Sequence, residues 1–168
     1  MNINKIDSAL IVKMQSDDIS FVLEILVENS LETWNYNDFL SEIQRLDSLA
    51  LVGKIKNKVI GFCVARLIIS NQTLNNSLSE GNFEAECEIY NIGVKKEFQN
   101  QGIGRQILGE LIFLAKRFHI QSIWLDVRNS NMKAINFYRN NNFRQVYERK
   151  NFYSNPLENG IVMKMNLQ

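Results

Sequence analysis

The chain has 168 residues, 45% of them hydrophobic and 22% charged, and its 19 basic and 18 acidic side chains leave a formal net charge of +1. That length suits one domain with an ordinary core, and the near-zero charge excludes a protein whose main task is electrostatic adhesion to nucleic acid or membrane. A single histidine, His119, and two cysteines, Cys63 and Cys87, exclude a histidine-rich metal site, and no metal is expected. Each cysteine sits in an apolar run and reads as a buried free thiol. No apolar stretch approaches the roughly 20 residues of a membrane span. The first residues lack a signal pattern, so the expected compartment is the cytoplasm.

Ala9 to Met14 is a short apolar run that predicts a first strand. Ser16-Asp17-Asp18 predicts a helix N-cap with an acidic first turn. Ile19, Val22, Leu23, Leu26 and Val27 follow on one helical face. A second helix is expected from about Asn35, carrying Phe39, Leu40, Ile43 and Leu46. Leu49–Ile55 and Val59–Ile69 read as strands joined by a short turn at 56–58, which makes a hairpin. Residues 70–84 are polar and aperiodic and predict a flexible loop. Glu86–Val94 is a strand, 99–104 a glycine-containing turn, and Ile103 to Phe118 an amphipathic helix. Ser122–Arg128 is a strand. Asn131 can cap a short helix through Tyr138, and Asn140–Asn142 end it, since Asn tolerates the left-handed conformation there. Phe143–Arg149 and Ile161–Leu167 are the last strands. The order predicts one α/β domain over 1–168, with a mixed, mostly antiparallel sheet flanked by helices.

Two strand–turn–helix junctions carry chemistry. The first is Gln99-Asn100-Gln101-Gly102-Ile103-Gly104 before the long helix. Its glycines admit close backbone approach. A helix N-terminus offers unpaired N–H groups and partial positive charge, which suit a pyrophosphate, and Arg105 adds a full charge. Alone, the run reads equally well as a tight turn before a core helix. It lacks the Gly-Lys-Ser/Thr of a nucleotide-binding P-loop and the three-glycine dinucleotide spacing. The second is Leu125-Asp126-Val127-Arg128 leading into the Asn131 helix. Alternation puts Trp124, Asp126 and Arg128 on one strand face. An acid on an otherwise apolar strand is paired or functional, and the structural alternative is a salt bridge with Arg128.

Together these features resemble the GCN5-related N-acetyltransferases. The resemblance rests on Ile89-Tyr90-Asn91-Ile92-Gly93-Val94, then Gln99-x-x-Gly102-x-Gly104, then Ser130-Asn131-x-x-Ala134-x-x-Phe137-Tyr138 followed by Asn142-Phe143. Within that superfamily the chain looks most like the bacterial ribosomal-protein-alanine N-acetyltransferases. Thr33-Trp34, Trp124-Leu125-Asp126-Val127-Arg128, the Arg149-Lys150-Asn151-Phe152-Tyr153 tail and Ile161-Val162-Met163 carry that closer likeness.

The resemblance implies acetyl-CoA as co-substrate. Backbone groups of Ile92 and Val94 would hold its pantetheine arm. Amides of Gln99, Gln101, Gly102, Ile103, Gly104 and Arg105 would cradle the pyrophosphate. Asn131 would bond the amide arm, and Tyr138 would protonate the departing thiolate. Asp126 stands where those relatives carry a glutamate base, one methylene longer. Trp34, Tyr90 and Tyr153 are the expected acceptor-side residues.

Chemistry agrees with those roles. A protein α-amine has a pKa of about 8, so roughly a tenth is neutral at pH 7 and a modest base suffices. No covalent intermediate is needed. The resemblance implies a protein N-terminus, alanine of a small-subunit ribosomal protein, as acceptor, and the enzyme is expected to act as a monomer without nucleic acid or membrane. The alternatives are a small-molecule amine acetyltransferase and a non-catalytic acyl-CoA-binding module. The Lys95-Lys96 pair is a solvated strand end or an aid to the coenzyme's 3′-phosphate.

Overall fold

The structure, a computed structural model, describes residues 8–31, 34–70 and 84–167. In chain order the elements are β1 (Leu10–Lys13), a 3-10 turn (Ser16–Asp18), α1 (Ile19–Asn29), α2 (Tyr36–Gln44), β2 (Ser48–Ile55), β3 (Lys58–Ser70) and β4 (Glu84–Val94). A second 3-10 turn (Lys96–Phe98) precedes α3 (Ile103–Arg117), β5 (Ser122–Arg128), α4 (Met132–Arg139), β6 (Arg144–Ser154) and β7 (Leu157–Asn166). The loop read over 70–84 lies outside the described residues except at its two ends, which belong to β3 and β4. The strands run in the order β1-β2-β3-β4-β5-β7-β6. Among the described pairings β4–β5 is parallel and the others are antiparallel. This is the mixed, mostly antiparallel sheet with helices that the element order predicts. No helix among the described residues is long and apolar enough to cross a membrane.

Two compact units make up the chain. The first takes the described residues of Met1–Arg66 and Asn91–Leu114, the second those of Leu67–Tyr90 and Ala115–Gln168. In the first, Ile19, Val22, Ile25 and Leu26 of α1 pack with Met14, Phe39, Val52, Phe62 and Val64. The buried stripe of α1 thus includes Ile25, whereas Val27, placed on it by periodicity, is 81% exposed. Both stripes satisfy a 3.6-residue repeat, and packing against Phe39 and Phe62 selects one.

Gln15 is the N-cap residue of the 3-10 turn, and Asp18, within the expected run, is that of α1. The Asp18 carboxylate accepts from the Gln15 N–H at 3.1 Å and is bridged at 2.6 Å by Lys54. Helix α2 begins as expected. Asn35 Oδ1 accepts from the N–H groups of Asn37 and Asp38, and Asp38 answers to the Asn35 N–H. It ends at Gln44, so Leu46 lies beyond it in solvent.

Gly93 shows why β4 lies so close to α1. A Cβ there would meet Phe62 at 2.8 Å, Ile25 at 3.0 Å and Leu31 at 3.1 Å. Gly93→Ala is therefore expected to cost about 1–3 kcal/mol through overpacking, read as a lower midpoint in urea unfolding. An unchanged midpoint would show that the helix yields freely.

In the second unit Ile123, Leu125 and Val127 of β5 are buried, and Trp124, Asp126 and Arg128 are partly exposed, as alternation requires. Cys63 in the first unit and Cys87 in the second are buried free thiols. Burial and the nearby Glu88 push the Cys87 thiol up to about 12, so it is no nucleophile near pH 7. The last hairpin is longer than the sequence indicates. Strands β6 and β7 continue through 150–160 and meet at a turn around Asn155 and Pro156. That stretch has no apolar alternation because it is held by backbone pairing and by Asn159, whose amide accepts from Asn151 N–H and donates to Glu148. β6 is the sheet's edge strand and is exposed along nearly its whole length. Irregularities at 145/147 and 149/153 interrupt its pairing, which blunts edge-to-edge association.

Candidate active site

In the first unit, the end of β4 turns into α3. Lys95 N–H donates to Ile60 C=O at 2.9 Å, so Lys95 faces β3 and the strand's alternation turns the groups of Val94 the other way. There the Val94 carbonyl accepts from Asn29 Nδ2 at 3.1 Å and Gln99 Nε2 at 3.0 Å, and Gln99 also donates to Asn29 Oδ1 at 2.6 Å. Both lone pairs of that carbonyl are engaged. By the same alternation the N–H of Val94 and the N–H and C=O of Ile92 face away from β3.

The turn 99–102 is left-handed twice, at Asn100 (φ 61°) and Gly102 (φ 85°). Gln101 Nε2 donates to Glu97 C=O at 2.7 Å. The glutamine side chains of the motif thus brace the turn, and what they leave open is its backbone. The first bond of α3 is Gln106 N–H to Gly102 C=O at 3.0 Å. None of the described hydrogen bonds uses the N–H groups of Ile103, Gly104 or Arg105, and no acid lies in the first turn of α3. The contrast is with α2 and α4, whose Asn35 and Asn131 side chains cap them. A helix start with no first-turn acid and an exposed arginine is electrostatically suited to an anion. Lys95 Nζ lies 3.2 Å from Glu24, so part of the basic pair is committed within the unit.

In the second unit, Asp126 lies on the partly exposed face of β5. Its side chain is 15% exposed and its Oδ2 is 3.5 Å from Arg149 Nη1 on β6. Its Oδ1 is buried with no hydrogen-bond partner. The sequence pairs this acid with Arg128; the structure pairs it with Arg149. Arg128 is instead turned to the β6–β7 turn. It donates to Asn155 C=O at 3.0 Å and Pro156 C=O at 3.3 Å, pairs with Glu158 at 3.5 Å and stacks 4.2 Å above Tyr153. Burial pushes the Asp126 carboxyl above its ordinary value; the Arg149 charge opposes that and the Glu88 carboxylate adds to it.

Asn131 caps α4, its Oδ1 accepting from Ala134 N–H at 3.1 Å. The cap occupies the carbonyl end of the side chain and leaves the amide N–H groups as donors. Glu158 accepts from the Ser130 N–H beside it, which holds Glu158's carboxyl below its usual range. Tyr138 is 6% exposed, with the rings of Phe137 and Phe143 each 5.3 Å away. Of the acceptor-side residues, Tyr153 is held under Arg128, Tyr90 is 43% exposed on β4, and Trp34, in the first unit, packs at 5.2 Å on Phe39. Thr33 lies outside the described residues. His119 lies just past the end of α3 in a left-handed conformation, its N–H bonded to Lys116 C=O. Among the described residues no group of three or more His, Cys, Asp or Glu could hold a metal ion.

Arg149, Glu158 and Asn29 are the residues that sequence reasoning missed in these roles. Each acts across a distance in sequence of 23 residues or more (Arg149 to Asp126) to 65 (Asn29 to Val94), and no local spacing signals such a pairing.

The model of the acetyltransferase (GNAT) family matches residues 19–143, and the chain belongs to that family. It is an N-acetyltransferase that uses acetyl-CoA. Among its relatives, the [ribosomal protein bS18]-alanine N-acetyltransferase of Haemophilus influenzae is 29% identical over 159 residues, which are 92% of this chain and 97% of that protein. The protein of the same name from Escherichia coli K12 is 34% identical over 82 residues, 48% of this chain and 55% of that one. The fold is likewise shared. The crystal structure of the E. coli ribosomal-protein-S18-alanine N-acetyltransferase matches with a TM-score of 0.76 at 24% identity, over 95% of this chain and 94% of that one. Arabidopsis thaliana NAA60 in complex with acetyl-CoA matches at 0.82 and 15% identity, over 95% and 99%.

Proposed function

We propose that this enzyme acetylates a protein N-terminal α-amine, alanine of a small-subunit ribosomal protein, by direct attack of the neutral amine on acetyl-CoA. The observation that carries the reading is Asp126: an acid on an otherwise uncharged-to-basic strand, with one oxygen buried and unpartnered. The likeness of the chain to bS18-alanine N-acetyltransferases over nearly its full length supports the choice of acceptor.

The coenzyme's pyrophosphate takes the N–H groups at the start of α3, where charge and geometry favour it. Backbone groups of Ile92 and Val94 bind the pantetheine amides as a strand would. Asn131's amide donates to the same arm. Asp126, directly or through a water, accepts the proton that makes the acceptor nitrogen nucleophilic. The nitrogen attacks the thioester carbonyl, a tetrahedral oxyanion forms against a strand N–H, and collapse expels the thiolate. Tyr138 supplies its proton. Trp34, Tyr90 and Tyr153 are the acceptor-side residues of this reading, and the reaction belongs to the cytoplasm.

Tyr138→Phe is expected to lower kcat with a peptide bearing a free N-terminal alanine by about 100-fold, with coenzyme affinity by calorimetry nearly intact. Unchanged kcat removes Tyr138 from the reaction. Turnover of a polyamine or aminoglycoside but not of the peptide would assign a small-molecule acceptor. Coenzyme binding with no turnover of any amine would make the chain a binding module.

A further inference from the structure

The Asp126 carboxylate has two unlike oxygens. Oδ1 is buried with no partner, and Oδ2 faces the Arg149 guanidinium at 3.5 Å. Only the Oδ2 side has a partner, and that partner is itself well placed to leave. Arg149 stands on the exposed edge strand, and its side chain is 41% exposed. The guanidinium lies 4.9 Å over the Phe152 ring and 5.9 Å from the Tyr147 ring, and it donates to Tyr147 Oη at 3.4 Å. Two aromatic side chains therefore hold the cation at the mouth of the acid without burying it. A 3.5 Å separation is an ion pair without a short hydrogen bond, so its loss costs little.

We propose that Arg149 is a positioning residue for the transfer: its guanidinium holds the reachable oxygen of Asp126 until the acceptor nitrogen takes that place, so that the base waits charged and in one rotamer. The inference rests on the reading of Asp126 as the base. The charged and titratable groups sharing this face of the second unit include Glu86 and Glu88 on β4, Arg128 on β5, Glu158 and Lys164 on β7, and Arg144, Tyr147 and Arg149 on β6. Arg128 is committed to Glu158 and the turn, and Lys164 Nζ sits 4.4 Å over Trp124. Glu88 repels a second negative charge. Arg149 is the cation whose electrostatic effect on Asp126 opposes burial and Glu88. Its charge also disfavours an incoming ammonium and so favours the neutral, reactive amine.

The experiment compares the native protein with Arg149→Gln and Arg149→Lys. Two readouts are taken: titration of the Asp126 carboxyl carbon by 13C NMR in the free protein, and the pH dependence of kcat with a peptide bearing a free N-terminal alanine. In Arg149→Gln the titration midpoint should move to higher pH. The acidic limb of kcat should move with it, with a loss of up to about tenfold on that limb and little loss on the alkaline side, one pK unit being a tenfold change. Arg149→Lys, which keeps the charge, should restore most of both. In an Asp126→Asn background Arg149→Gln should change nothing further. An unmoved midpoint in Arg149→Gln, or a uniform loss at every pH that Arg149→Lys does not rescue, overturns the proposal. Native turnover in Asp126→Asn alone overturns the base assignment instead, whatever the midpoint does.

Discussion

Replacing Asp126 with asparagine should cut kcat by about 10²–10⁴-fold and at the same time raise the melting temperature at neutral pH. Both effects come from one feature. The carboxylate is pushed above its ordinary value, 3.8, mainly by burial. A raised acid means that the folded state binds its proton more tightly than the unfolded state does. Stability is then highest below the ordinary value and falls as pH rises through the window from there to the raised value. At neutral pH the ionised Asp126 is a burden on the fold, and an uncharged isostere removes it. Arg149, being largely solvated, is left without serious penalty. The check is a pair of melting curves. The variant's advantage should be present at pH 7 and vanish below about pH 3.8, the ordinary value. A variant less stable than the native protein at pH 7 would mean that the Arg149 pair outweighs burial.

The second large effect is structural. Glu42 of α2 is 2% exposed and takes a forked grip from Arg66 of β3: Nε at 3.0 and 3.1 Å from its two oxygens, and Nη2 at 2.5 Å. Arg66→Ala would leave a carboxylate buried with its cation gone, which costs about 3–5 kcal/mol. Chemical denaturation at pH 7 should show this loss. Replacing both residues with apolar ones of similar volume, Glu42→Met with Arg66→Met, should recover most of it, because the cost lies in the orphaned charge and not in the missing bridge. Equal losses in the single and double variants would place the cost in packing instead. By contrast, the exposed pair Arg45–Asp47, both side chains 44% exposed, should contribute little.

Much of this was legible in the sequence because it is local. The element order, the Asn35 and Asn131 caps, the left-handed Asn142 and the face of β5 that carries Asp126 all follow from spacings of two to four residues. The turn with Gly102 ahead of an amphipathic helix is legible for the same reason. Other readings failed where one repeat allowed two answers. Val27 and Ile25 both fit the periodicity of α1, and burial against Phe39 and Phe62 chose Ile25. The β6–β7 hairpin was underestimated because an exposed edge strand needs no hydrophobic alternation to pair.

The sequence alone determined which residue types stand at the chemical positions: an acid on β5, a tyrosine on α4, glycines and an arginine at the start of α3. Backbone periodicity and helix-end chemistry act over a few residues, so a one-dimensional pattern can hold them. Only the tertiary structure decided what those residues have for partners. It gave Asp126 to Arg149 and not to its neighbour Arg128, turned Arg128 onto Glu158 and Tyr153, and spent the side chains of Gln99 and Asn29 on the Val94 carbonyl. Burial and electrostatic partnership are set by strands and helices far apart in the chain. They decide whether a carboxylate is a surface charge or a base.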